Sequence, residues 1–205
     1  MQAEIVHEYS DRRRVISCRL ETAPTFKRGN VLLTFTIDVI CPHPFWKEEH
    51  ERETNIAGWE GLYEFARETG GFEIASGGVE MGRRTRTVVV PVINDGDVST
   101  GIRVEFVANV SVTNPTLTNI TTGEYMAFPG LTMQSGDKLV VTTSYGKKAC
   151  KLYRSGAVIN ALSYWDTGGK FLQLETGENL FSCSADENAD GLDVSVFATN
   201  QYLGV

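Results

Sequence analysis

Apolar and polar residues alternate with a period of two along much of this chain, which is the spacing of strands that bury one face. In residues 31–39, Val31, Leu33, Phe35, Ile37 and Val39 fall on one side, and Leu32, Thr34, Thr36 and Asp38 on the other. In residues 192–198, Leu192, Val194, Val196 and Ala198 oppose Asp193, Ser195 and Phe197. Further strands are predicted at 15–19, 85–92, 101–108, 138–143, 149–153, 171–174 and 179–183. Turn chemistry separates them: Asn94-Asp95-Gly96-Asp97, Thr122-Gly123, Ser135-Gly136-Asp137, Tyr145-Gly146-Lys147, Ser155-Gly156, Thr176-Gly177-Glu178 and Ala189-Asp190-Gly191. Short strands with regular Gly/Asp turns predict an all-β chain and an antiparallel β-sandwich.

Residues 47–62 break this pattern. Glu48, Glu49, Glu51 and Glu53 interleave with Lys47, His50 and Arg52, and no apolar face results. The segment reads as a mobile or partner-ordered loop or arm. The best domain boundary falls at 92/93, where Pro91 ends one strand and the Asn94–Asp97 turn precedes a new series. Residues 93–205 then form a sandwich of ordinary domain size, while residues 1–92 read as part of a domain.

With 205 residues the chain has room for a substantial core. Nowhere does an apolar run reach membrane-spanning length, and the polar start carries no secretory signal, so synthesis in a cytoplasm is expected and no membrane partner. A net charge of −7 argues against nucleic acid as a partner, because phosphate binding needs a cationic excess. The acid excess is uneven, with 12 basic against 14 acidic residues in 1–92 and 7 against 12 in 93–205. Cys18, Cys41, Cys150 and Cys183 lie far apart without a C-x-x-C pair, so they read as small apolar residues rather than zinc ligands.

Candidate chemistry is sparse. Cys41 and His43 would share a face of an extended segment, yet Pro42 and Pro44 make that segment a shaped corner. Glu175 and Glu178 flank a turn, where carboxylates favour solvent and local backbone bonds. Asp186 to Gly191 has the spacing of a calcium loop up to its sixth position, but Phe197 stands at the twelfth, and a hairpin turn fits better. Asn109-Val110-Ser111 and Asn119-Ile120-Thr121 match the glycosylation pattern without a secretory context. Tyr145 and Trp165 could form a sugar-stacking platform, which keeps a carbohydrate-binding module for host-surface recognition as the alternative reading; a core or interface place is the simpler account of these aromatics. No catalytic centre, metal site or cofactor is expected.

A series of short motifs, in order along the chain, resembles the phage distal tail protein (Dit) family, the siphophage tail component. The motifs are Arg12-Arg13-Arg14-Val15-Ile16, Ile40-Cys41-Pro42-His43-Pro44-Phe45-Trp46, Val92-Ile93-Asn94-Asp95-Gly96-Asp97, Thr113-Asn114-Pro115, Thr121-Thr122-Gly123, Gly136-Asp137-Lys138-Leu139, Phe171-Leu172-Gln173-Leu174 with Gly177-Glu178-Asn179, and the terminal Tyr202-Leu203-Gly204-Val205. The resemblance implies a structural, non-enzymatic part of a phage or prophage tail tip. It implies a ring-forming (belt) domain at 1–92, shorter than in relatives because eleven residues precede Arg12, and a galectin-like or carbohydrate-module-like sandwich at 93–205. It further implies a homo-oligomeric ring, a hexamer in this family, that contacts tail-tube and receptor-binding proteins in the virion. Arg12, Arg13, Arg14, Phe35, Phe45, Trp46 and Trp59 are the candidate assembly residues.

Overall fold

The computed structural model describes residues 2–10, 12–29, 31–57, 59–60, 83–84 and 89–204. The chain opens with β1 (Gln2–Tyr9), which pairs antiparallel with β2 (Arg12–Leu20) along its whole length, from Gln2↔Arg19 to Tyr9↔Arg12. The polar composition of the first residues hid this strand. The predicted strand 31–39 is shorter than expected. A hairpin of β3 (Thr25–Arg28) and β4 (Leu33–Thr36) holds its middle, and β5 (Val39–Ile40) returns to pair with the end of β2. Between them Ile37 and Asp38 lie outside strands, because the Asp38 carbonyl is taken by the Glu21 amide at 3.0 Å as the chain turns back.

The loop or arm expected at 47–62 is corrected over its described part. β6 (Trp46–Glu48) pairs with β2, and β7 (Arg52–Ala57) pairs with a strand near the C-terminus. In β7, Ile56 is buried in the main core with Thr54 half-buried on the same side, while Arg52, Glu53 and Asn55 are exposed. One inward isoleucine and pairing with a sandwich strand hold a segment whose charges, Arg52 and Glu53, stay exposed. β8 (Trp59–Glu60) and β9 (Arg83–Arg84) pair with each other.

The remaining strands are β10 (Val90–Asn94), β11 (Thr100–Ala108), β12 (Val112–Thr113), β13 (Thr116–Asn119), β14 (Glu124–Ala127), β15 (Thr132–Met133), β16 (Lys138–Thr142), β17 (Ala149–Arg154), β18 (Ala157–Asn160), β19 (Gln173–Leu174), β20 (Gly177–Ser184), β21 (Leu192–Ala198) and β22 (Gln201–Tyr202). Two antiparallel sheets face each other. One runs β18-β17-β16-β11-β21-β7, with β19 on the end of β11, and the other runs β10-β20-β13-β14. Strict alternation places Ile102, Val104 and Phe106 of β11, and Leu192, Val194 and Val196 of β21, in the space between the sheets. Leu117, Met126 and Phe181 meet them from the smaller sheet. Of the expected strand 85–92, residues 85–88 lie outside the described residues and the strand is Val90–Asn94; of 171–174, only Gln173–Leu174 is strand.

Strand pairing crosses the expected boundary at 92/93. β7 completes the larger sandwich sheet from the N-terminal side, and β10 begins before residue 93. Conversely, β22 from the C-terminal end pairs with β6, extending the N-terminal sheet β1-β2-β6-β22. None of the four cysteines forms a disulfide; Cys18 and Cys150 are buried, Cys41 and Cys183 partly so.

Candidate functional site

Arg12, Arg13 and Arg14 open β2 and line a cleft of about 570 Å³ between the N-terminal sheet and the edge of the sandwich. Arg13 reaches Glu49 at 3.1 Å. The Arg14 guanidinium lies 3.8 Å from the centre of the Tyr202 ring and donates to the Gly204 carbonyl. Glu48, at the end of β6, is the hub of the cleft. Its Oε1 accepts from Arg52 at 2.9 Å, from the Tyr202 hydroxyl at 2.9 Å and from Asn200 at 3.2 Å. Arg52 also donates to Asp95 at 2.7 Å, and this hydrogen bond is the main reason its pKa is raised. Burial, then the neighbouring Glu48, pushes the Tyr202 hydroxyl up.

Gly96 makes this joint possible. A Cβ there would meet the Gln201 carbonyl oxygen at 2.5 Å, so only glycine lets the last strand lie against the Asn94–Asp97 turn. The Asp97 amide donates to that same carbonyl at 2.8 Å, and the Leu203 amide to the Asp97 carboxylate at 3.0 Å. The acids of the cleft are therefore spent on its own cations, Glu49 on Arg13 and both Glu48 and Asp95 on Arg52. Exposed pairs of this kind contribute little singly and more as a network.

Phe35 sits elsewhere, on the β3–β4 hairpin. All eight strand residues of the hairpin are exposed, and among the described residues it pairs with no other strand. Phe26 faces Phe35 across the hairpin with ring centres 6.3 Å apart, and Leu33 shares their face. Phe26 is 67% exposed, Phe35 61% and Val31, near the tip, 93%. Among the described residues, this is a cluster of exposed apolar side chains larger than scattered surface positions give. The alternation in 31–39 signalled the second strand. Phe26 and the Gly29-Asn30 pair in the sequence were the available signal for the first, and it was missed.

The other expected residues scatter. Phe45 and Trp46 are half-buried, with Trp46 edge-on to His7 at 6.2 Å. Trp59 belongs to β8, and its side chain lies outside the described residues. Tyr145 is exposed beside His43, at 6.0 Å between rings. Trp165 packs instead into the core, stacked on Phe171 at 4.3 Å and edge-on to Phe128 at 5.5 Å. No ring contact joins Tyr145 and Trp165 among the described residues, so they do not build one platform.

Among the described residues no three His, Cys, Asp or Glu side chains gather as a metal site. Glu175 and Glu178 are exposed, and Asp186 accepts from Asn114 at 2.6 Å. Asn119 of the second glycosylation match is fully buried, its Oδ1 taking the Thr121 amide at 3.0 Å, so the folded chain does not present it.

A family model described as the siphovirus-type tail component, C-terminal domain, matches residues 95–199. Among solved structures, the Dit protein (gp 19.1) of phage SPP1 is similar, with a TM-score of 0.63 and 14% identity. That structure is described as a paradigm of the hub adsorption apparatus in phages infecting Gram-positive hosts. The likeness covers 93% of this chain and 61% of that one, so this chain spans less than two thirds of that relative's length. The baseplate of phage P2, in its activated conformation with calcium, is similar with a TM-score of 0.52 and 10% identity, over 98% of this chain and 69% of that one. At these identities the shared property is the fold. No curated protein is similar in sequence.

Proposed function

Because this chain belongs to the siphovirus-type tail component family, we propose that it is a structural component of a phage or prophage tail tip, a hub joining the tail tube to baseplate or receptor-binding parts. The observation that carries this reading is the family match over residues 95–199, which is the stretch that folds as the sandwich. The role is non-enzymatic. It asks for rigid sheets and exposed contact surfaces, and the chain offers a dense core beside an apolar hairpin that pairs with no other strand among the described residues.

Self-association runs through the N-terminal region, residues 1–92, and the resemblance supplies a closed ring as its form, a hexamer. Exposed Phe26, Leu33 and Phe35 support this, since a hub gains its free energy from repeated contacts between copies. The sandwich hangs outward from that ring, and the chain ends in the virion tail after synthesis in the host cytoplasm. Mass spectrometry of purified tails tests the reading. The chain should be present in several copies per tail, at a constant ratio to the tail-tube protein. Its absence from tails that are otherwise complete would overturn it.

A further inference from the structure

Strand pairing brings two of the cysteines, Cys18 and Cys41, to facing positions. β5 runs antiparallel to β2, with Leu20 opposite Val39 and Arg19 opposite Ile40. Carried one position further, the same register sets Cys41, the residue that follows β5, opposite Cys18. Burial agrees with that placement. In β2, Cys18 is buried while Ser17 and Arg19 are exposed. Along the other segment Val39 and Cys41 are half-buried, and Ile40 between them is exposed. Cys18 and Cys41 therefore share one face of the N-terminal sheet. By contrast, Cys150 stands opposite Val141 on β16, and Cys183 opposite Leu117 on β13.

Both thiols are free in this structure. Directly opposite residues of an antiparallel pair have Cα atoms about 4.5–5.5 Å apart, inside the span of about 4.4–6.8 Å that a disulfide bridges. Residues 41–45 belong to no strand, so this corner is held to β2 only by the short β5 before it and the short β6 after it. A covalent bond from Cys41 to Cys18 would tie down the corner at its start.

We propose that Cys18 and Cys41 form a cross-strand disulfide when the folded chain meets an oxidant, fixing the β5–β6 corner to β2. The oxidant is a small disulfide of the glutathione class. Cys41, the more accessible of the two, gives its proton to solvent, and its thiolate attacks one sulfur of the oxidant, expelling the other as a thiolate. The mixed disulfide on Cys41 is then attacked by the Cys18 thiolate, which displaces the second glutathione. Each protein thiol has then lost one proton and one electron, and the oxidant has been reduced to two thiols. A thiol-rich cytoplasm keeps the pair open, and an oxidising medium outside the cell lets it close. A tail component passes from the first to the second on release, which gives the bond its occasion. The bond itself belongs to the isolated chain, so its failure leaves the tail-tip reading standing.

Mass spectrometry of the full chain, treated while folded with oxidised glutathione and then alkylated, tests this. The expected product has lost two hydrogens and carries no glutathione, and its tryptic peptide 15–19 is joined to peptide 29–47. The bond closes a loop of 24 residues, from 18 to 41 inclusive. Tm should therefore rise by on the order of 5 °C or more on oxidation, and reductant should reverse the rise. Cys41→Ser should melt as the original chain does in reductant and gain nothing on oxidation. Peptide mapping of the original chain decides the matter even where that variant folds poorly. Three results would each overturn the proposal: glutathione that stays on Cys41, a bond that forms only in denaturant, or joining of either residue to Cys150, Cys183 or a second chain.

Discussion

Cys150 carries a pH dependence that a sequence search for reactive thiols would misread. It lies on β17 facing the core, and burial pushes its thiol up to about 11. In the unfolded chain the proton leaves near the ordinary value of 9. Below that pH both states keep the proton and stability is fully present. From pH 9 to 11 the unfolded state binds fewer protons, so stability falls as pH rises, by on the order of 1–2 kcal/mol for this group. The expected result is a Tm that drops more steeply across this window in the original chain than in Cys150→Ala, with no difference in slope between pH 6 and 8. Other single residues were readable only in part. Gly96 was recognised as a turn glycine, but its reason, the Gln201 carbonyl 2.5 Å from where a Cβ would stand, comes from a strand over a hundred positions away. Asp137 was likewise a turn residue; in the fold it is buried, taking the Gln134 amide and the Arg154 Nε at 2.8 Å each.

Among the elements, legibility followed burial on one face. β11 and β21 alternate without interruption because one side of each meets the core, and both were predicted within one residue of their limits. β1 and β7 were missed because their exposed sides dominate their composition. In β7 a single buried residue, Ile56, decides the strand, and no periodicity count can see one residue. Ile56→Ala should therefore cost about 2–4 kcal/mol in urea unfolding, the range for emptying a core isoleucine site. Amide exchange along Arg52–Ala57 should be slow in the original chain and fast in that variant. Fast exchange there in the original chain would restore the mobile arm. The β3–β4 hairpin was half legible: alternation marked the second strand and its apolar face, but nothing local told that this face would stand free of both sheets.

For the whole molecule, sequence reading reached an all-β chain, a C-terminal sandwich and the tail component family. It placed the division between parts too cleanly. Pairing of β7 with β21 and of β22 with β6 stitches the two regions together from both ends, and the charged cleft around Glu48 sits on that seam. These are contacts between residues about 150 positions apart, which local patterns do not encode. The candidate assembly residues divided for the same reason. Arg14, a candidate through the family resemblance, lies over the Tyr202 ring and donates to the Gly204 carbonyl. Phe35, chosen for its alternating face, is 61% exposed on the hairpin. The central claim is that this chain is built into a tail tip, and antibody labelling of whole phage particles in the electron microscope tests it most directly. An antibody raised against residues 95–199 should mark the end of the tail distal to the capsid, whereas label on the capsid, along the tube or on no particle at all would contradict it.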